Sequence, residues 1–125
     1  MSKSFMDLVA EAKAVVPAIS PDEAATMMDR ENVVIVDVRD DAEVAESGKI
    51  KGALHVPRGM LESRADETTP YHDEALSKDK TVILYCGSGS RAALGGKALL
   101  DLGYRDVRNL GGFKDWVENG GATEE

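Results

Sequence analysis

Apolar positions along the chain change period several times, and each change marks an element. Phe5, Leu8, Val9, Ala12 and Val16 recur at helical spacing, so a helix is predicted over 5–15, with Ser4 placed to cap it. Residues 16–19 are short and read as an edge strand, where Pro17 is tolerated. Ser20-Pro21-Asp22-Glu23 starts a second helix that should run to about Asp29: a capping serine, proline at the first position, and glutamate three residues after the serine. Asn32 to Val36 is β-branched throughout after the asparagine, the composition of a central parallel strand. A short helix over 40–46 follows, then a short strand within 49–56 ending at His55-Val56-Pro57. Gly59-Met60-Leu61-Glu62 starts a further helix, and residues 67–70 break the pattern as a surface loop.

The run Thr81-Val82-Ile83-Leu84-Tyr85 reads as a buried strand leading into Cys86, the only cysteine. Gly87-Ser88-Gly89-Ser90 follows, and then Arg91 opens a helical pattern that ends near Leu102, before Gly103. Gly95 and Gly96 inside that helix each cost ~1 kcal/mol relative to alanine, which calls for close packing against a neighbour. Val107 to Leu110 is a last strand, Gly111-Gly112 a turn, and Phe113 to Val117 a final helix with Trp116 as a core anchor. Residues 119–125 read as a frayed tail. Strands alternating with helices indicate an α/β fold, doubly wound about a parallel sheet with helices on both faces.

Composition narrows the partners. At 125 residues one domain is expected over 1–125, with residues 1–15 as an added N-terminal helix. A net charge of −8 argues against nucleic acid and against an anionic membrane. No apolar stretch approaches the ~20 residues of a membrane span, and Asp7 and Glu11 interrupt any signal-peptide core. A single cysteine excludes an internal disulfide and suits a reducing compartment, so a cytoplasmic location and a monomer are expected. His55 reads as a hydrogen-bonded core residue and His72 as loop; with no metal-ligand cluster, neither metal nor cofactor is expected.

The loop after Cys86 carries the candidate chemistry. Gly87 and Gly89 let backbone N–H groups turn inward, and Ser88 and Ser90 are small and polar. Successive N–H groups, the start of a helix and the planar fork of Arg91 together make an anion site beside a candidate nucleophile. Asp37 and Arg39 follow the first central strand, on the same side as Cys86 if the strands are parallel; Asp37 suits either a capping turn or a supporting role. Arg39 and Glu43 stand at i, i+4 and could pair. Arg58 leaves a strand end toward the same side and is a candidate supporting cation, although a surface position suits it better.

Four segments, in order from about Val33 to Val117, resemble the signatures of the rhodanese domain: Val36-Asp37-Val38-Arg39 with Glu43; Gly48 to Pro57; Cys86-Gly87-Ser88-Gly89-Ser90-Arg91; and Asn109-Leu110-Gly111-Gly112-Phe113 with Trp116. The resemblance implies a parallel five-stranded sheet. It implies a sulfurtransferase that takes sulfane sulfur from a small anionic donor such as thiosulfate onto Cys86 as a persulfide. The sulfur then passes to a thiophilic acceptor, cyanide in the usual assay or a protein. Gly87, Ser88, Gly89, Ser90 and Arg91 would bind the donor, and Asp37 and Arg39 would support the loop's architecture. A non-catalytic persulfide carrier or interaction module is the alternative. A phosphatase fits less well, because the related phosphatases place five residues between cysteine and arginine and here there are four. Three positions depart from the family pattern: Lys49 where histidine is frequent, Val44 where an aromatic is common, and Ala92 where serine is frequent.

Overall fold

The computed structural model describes residues 2–125. The first turns form as their sequences dictate. In α1 (Phe5–Val15) the Ser4 hydroxyl accepts the Asp7 N–H at 3.0 Å and the Asp7 carboxylate accepts the Ser4 N–H at 2.9 Å. Ser20 and Glu23 make the same reciprocal pair, both at 3.1 Å, at the start of α2 (Pro21–Met27). Two N–H groups without intrahelical partners are thereby satisfied at each end.

β1 (Val33–Asp37) leads into α3 (Asp41–Ser47), β2 (Lys49–Ile50) and β3 (Leu54–His55). A 3-10 turn (Arg58–Met60) and α4 (Leu61–Ala65) precede β4 (Thr81–Cys86), α5 (Ser90–Asp101), β5 (Asp106–Gly112), α6 (Phe113–Glu118) and β6 (Thr123–Glu124). The main sheet is parallel, in the order β3-β1-β4-β5. All six residues of β4 are buried, and their alternation serves two cores. Val82, Leu84 and Cys86 pack with Leu61, Ala92 and Leu99 beneath α4 and α5. Ile83 and Tyr85 pack with Ala24, Ile35, Ile50 and Trp116 beneath α2 and α6. No helix among the described residues is long and apolar enough to cross a membrane.

The sheet has four strands, not the five expected. Residues 16–19 do run beside β5, but they make only one parallel bridge, Ala18 to Asn109. Its two hydrogen bonds are Asn109 N–H to the Pro17 carbonyl (2.8 Å) and Ile19 N–H to the Asn109 carbonyl (3.0 Å). Pro17 has no N–H to extend the ladder, and α2 begins at Pro21 before another residue can pair.

The segment 49–56 likewise divides in two, with a turn at Gly52 (φ 85°). Leu54–His55 joins the main sheet beside β1, whereas Lys49–Ile50 pairs antiparallel with the tail. The expectation of a frayed tail over 119–125 therefore fails. The Lys49 ammonium meets the Glu124 carboxylate at 2.5 Å, the Gly52 N–H reaches the same carboxylate at 3.2 Å, and the Trp116 indole N–H donates to the Ala122 carbonyl at 2.9 Å. Lys49 is thus one of the residues that anchor the tail.

The two glycines inside α5 are explained by packing. A methyl group at Gly95 would stand 2.9 Å from Leu61 Cδ2. One at Gly96 would stand 2.9 and 3.0 Å from the Val16 methyls and 3.1 Å from Val107. Val16 follows α1, whose buried residues Val9 and Ala12 lie on α5, so Gly96 sets how closely the N-terminal helix approaches. Helix propensity alone would make Gly96→Ala stabilising by ~1 kcal/mol. Overpacking of ~1–3 kcal/mol opposes it. The expected outcome is a lower urea midpoint for Gly96→Ala; a raised midpoint would contradict the packing explanation.

Candidate functional site

Parallel strands place their carboxyl ends on one side of the sheet, and there β4 passes into α5 through residues 87–89. Cys86 ends the strand with its side chain buried, and the Gly89 N–H points at Sγ from 3.0 Å. Gly89 adopts φ 99°, a left-handed conformation that lets the chain turn sharply into the helix. Gly87 and Ser88 are exposed above the sulfur's end of the strand. The first N–H groups of α5 have no intrahelical acceptors and carry the positive end of the helix dipole. A buried sulfur, the Gly89 N–H and the start of α5 thus meet at the carboxyl end of β4.

β5 holds the loop from the other side. Gly112 lies opposite Cys86, and any side chain there would collide with the Gly87 carbonyl oxygen. The Asn109 amide N–H donates to the Gly89 carbonyl at 3.1 Å, while its oxygen accepts the Gly111 N–H at 2.8 Å. Asn109 is buried and acts as a brace between β5 and the loop. Residue-by-residue reading missed this role; the Asn-Leu-Gly-Gly sequence was its only signal.

Arg91 lies across the loop and is held by α3. Its two terminal nitrogens donate to the two Glu43 oxygens at 2.5 and 3.0 Å. The Asp40 N–H adds a third bond to that carboxylate at 3.1 Å. The Arg91 hydrogen bonds, with the Asp40 N–H and the arginine charge, draw the Glu43 carboxyl down to about 2. Glu43 in turn holds the Arg91 guanidinium above its ordinary value, with a smaller contribution from the Cys86 sulfur. A side chain at Gly87 would stand 3.2 Å from the guanidinium, so glycine there allows the arginine to lie over the loop.

The i, i+4 pairing of Arg39 with Glu43 does not form. Arg39 instead turns back on Asp37, whose carboxylate accepts the Arg39 backbone N–H at 2.9 Å and the guanidinium at 2.7–3.1 Å. Both side chains are buried, which combines the turn and the supporting readings of Asp37. Arg39 also donates to the Ser47 hydroxyl (2.8 Å) and the Gly48 carbonyl (2.7 Å) at the end of α3. The His55 ring donates to the Arg39 carbonyl at 2.8 Å.

Arg58 does not join this group. It pairs with Glu62 at 2.7 Å, and its stem lies against Gly95, one helical turn beyond Arg91. The strand end did point it toward α5, but the i, i+4 partner on its own segment captures the charge. A cavity of about 570 Å³ between Met28, Val33, Lys51 and Trp116 has no lining residue from the loop.

The rhodanese-like domain family matches residues 20–119. A sulfurtransferase from Allochromatium vinosum is 36% identical over 95 residues, covering 75% of this chain and 80% of its own. The thiosulfate sulfurtransferase GlpE of Coxiella burnetii is 31% identical over 99 residues, covering 78% and 84%. Among solved structures, a Rhodopseudomonas palustris protein of unknown function, described as a possible tyrosine phosphatase, superposes with a TM-score of 0.91 at 33% identity, covering 99% of this chain and 96% of that one. By family match, relatives and fold alike, the chain belongs to the rhodanese-like family, whose sulfurtransferase members it resembles at the level of the whole domain.

Proposed function

We propose that this protein moves sulfane sulfur from a small anionic donor such as thiosulfate to a thiophilic acceptor through a persulfide on Cys86, in the cytoplasm. The observation that carries the reading is the Cys86 sulfur set under the Gly89 N–H and the start of α5, with Arg91 across the same loop. In the first step the Cys86 thiolate attacks the outer sulfur of thiosulfate. The sulfur–sulfur bond of the donor breaks, and sulfite leaves with the electron pair. In the second, cyanide or another nucleophile attacks the outer sulfur of the persulfide, and Cys86 leaves as thiolate. This is covalent catalysis in which one sulfur changes partners and no outside oxidant or reductant is needed.

Gly87, Ser88, Gly89 and Ser90 supply the small residues and N–H groups that cradle the donor, and Arg91 supplies its countercharge. Glu43 occupies two of the five N–H donors of Arg91, leaving the others for an anion. Asp37 and Arg39 keep α3, and so Glu43, in place. The four-residue spacing favours a single sulfur over a tetrahedral phosphate as the group enclosed.

Incubation with thiosulfate should add one sulfur to the peptide containing Cys86, seen by intact and peptide mass spectrometry and removed by cyanide. Cys86→Ser should show neither. A folded protein that gains no sulfur, or that hydrolyses an aryl phosphate efficiently through Cys86, would overturn the reading.

Arg91→Ala should raise the donor KM and lower kcat by roughly 10- to 1,000-fold, by analogy with the loss of one preorganised donor. Arg91→Lys should recover only part, since the planar fork is lost. Steady-state kinetics unchanged in Arg91→Ala would remove the arginine from the site.

Glu43 gives a pH signature. Its folded value, about 2, lies below its ordinary 4.5, so its contribution is present above pH 4.5 and is lost as pH falls toward 2. For a partly exposed pair the effect is no more than about 1 kcal/mol. Glu43→Gln should flatten the stability profile in that window, measured by urea unfolding at successive pH values. Parallel profiles would place the pair outside the folding energetics.

A further inference from the structure

The cavity of about 570 Å³ between α2, β1 and the tail lies along the amino-terminal half of β1, away from the Cys86 loop. Val33, Val34 and Ile35 all line it. Successive side chains of a strand point to opposite faces, so three consecutive residues share one cavity only where it takes in the strand's edge. The ladder shows which backbone groups stand on that edge. The Thr81 N–H donates to the Asn32 carbonyl (2.8 Å) and the Val38 N–H donates to the Tyr85 carbonyl (3.1 Å), so the even-numbered groups of β1 face β4. The Val56 N–H donates to the Asp37 carbonyl (3.0 Å), so the odd-numbered groups face the other way, toward β3. There β3 reaches only Val36 and Asp37 in register, because Gly52 turns the chain aside at φ 85°. The Val33 carbonyl and the Ile35 N–H are therefore left without partners among the described residues, side by side on the cavity wall. Ile35 is only 4% exposed. Buried backbone groups are almost always paired, so this edge is built to receive a partner.

The size of the gap decides what that partner is. A free carbonyl with a free N–H two residues on is the pair that one residue of a parallel neighbour satisfies, as Leu54 does one step along, between Ile35 and Asp37. The gap takes one such unit and no more. β3 closes it beyond Ile35, and the turn in which the Val33 N–H donates to the Arg30 carbonyl (3.3 Å) closes it before Val33. An extended peptide would gain only two main-chain bonds there, too few to hold a strand. A compact planar ligand gains the same two and turns apolar faces toward a lining that includes Met28, Val33 and Trp116. The volume falls within the ~300–1,000 Å³ of small-molecule sites. The lining carries one acid, Asp29, and one base, Lys51, so no net charge selects an anion or a cation. We infer that this cavity binds a neutral heteroaromatic base whose amino group donates to the Val33 carbonyl and whose adjacent ring nitrogen accepts the Ile35 N–H, the edge of an aminopurine or aminopyrimidine. The site is separate from the loop and does not depend on the sulfur chemistry assigned to Cys86.

The test titrates isotope-labelled full-length protein and follows backbone amide resonances. 9-Methyladenine should move the Ile35 amide proton downfield along a saturable curve, while the Val34 amide, which faces β4, moves less. 9-Methylpurine keeps the ring and its acceptor nitrogen but lacks the amino donor. It should bind at least about 5-fold more weakly, the effect of one hydrogen bond. Ala25 is exposed and lines the cavity, so Ala25→Phe should fill it and abolish the Ile35 shift with little change in urea midpoint. If that variant fails to fold, the comparison of the two purines in the wild type decides alone. An Ile35 amide that does not move, or equal affinities for the two purines, would overturn the inference. A strand-like probe, acetyl-divaline amide, provides the remaining arm. Its binding more tightly than 9-methyladenine at Ile35 would assign the gap to an extended peptide and refute the heteroaromatic ligand.

Discussion

The buried ion pair of Asp37 and Arg39 is the interaction on which the arrangement around the loop depends. Taking two charges out of water costs several kcal/mol for each, and attraction compensates only when the remaining polar atoms are also satisfied. Here they are. Arg39 spends its donors on Asp37, Ser47 and Gly48, and its guanidinium lies 4.3 Å from the Phe113 ring centroid and 5.8 Å from that of Tyr85. No buried side-chain nitrogen or oxygen among the described residues lacks a partner. One guanidinium thereby joins the end of β1, the end of α3, the start of α6 and the end of β4. Losing either partner would leave the other charge buried and alone, a penalty of about 3–5 kcal/mol.

The consequence is felt most at α3. That helix buries none of its own residues, so no hydrophobic face fixes it. It is held by polar ties at its two ends: Arg39 at Ser47 and Gly48, and Arg91 at Glu43. The order of dependence runs from the buried pair to α3, from α3 to Glu43, and from Glu43 to the guanidinium over the loop. An arginine already held in place loses less conformational freedom when an anion arrives, which is the physical advantage of preorganisation.

The opposite side of the loop is set by backbone contact. Gly112 lies so close to the Gly87 carbonyl oxygen that it could carry no side chain, and Asn109 links the two backbones through both ends of its amide. The same Asn109 provides the single bridge to residues 16–19, so α1 and the loop are referred to one point on β5. At the far end of α6, the pairing of β6 with β2 and the Lys49–Glu124 contact close the second face of the sheet. This gives Lys49, a departure from the family pattern, a structural purpose.

What could be read from the sequence was whatever is decided within a few residues. The capping boxes at Ser4 and Ser20, the α1 period, the strand into Cys86 and the Gly/Ser loop before Arg91 are local. Their physics needs only the neighbours along the chain. The motifs at Asp37 and Asn109 were visible as motifs, but the atoms they hold were not. Spacing allowed Arg39 to meet Glu43; a two-residue turn back to Asp37, with Phe113 and Tyr85 closing over the guanidinium, decided otherwise and released Glu43 for Arg91. The two-residue strands were beyond local reading too. Propensity cannot stabilise so short a strand, and the partner of Lys49 lies 75 residues away in a tail that composition alone makes look loose. The fifth strand was lost for the converse reason: its residues suit a sheet edge, but Pro17 and the helix start leave room for one bridge only. Sequence by itself determined the longer helices and strands, the fold class and the Gly/Ser loop after Cys86, because each is written in local periodicity and residue chemistry. Tertiary structure alone decided which charge meets which, because long side chains choose among partners that only the folded chain brings within reach.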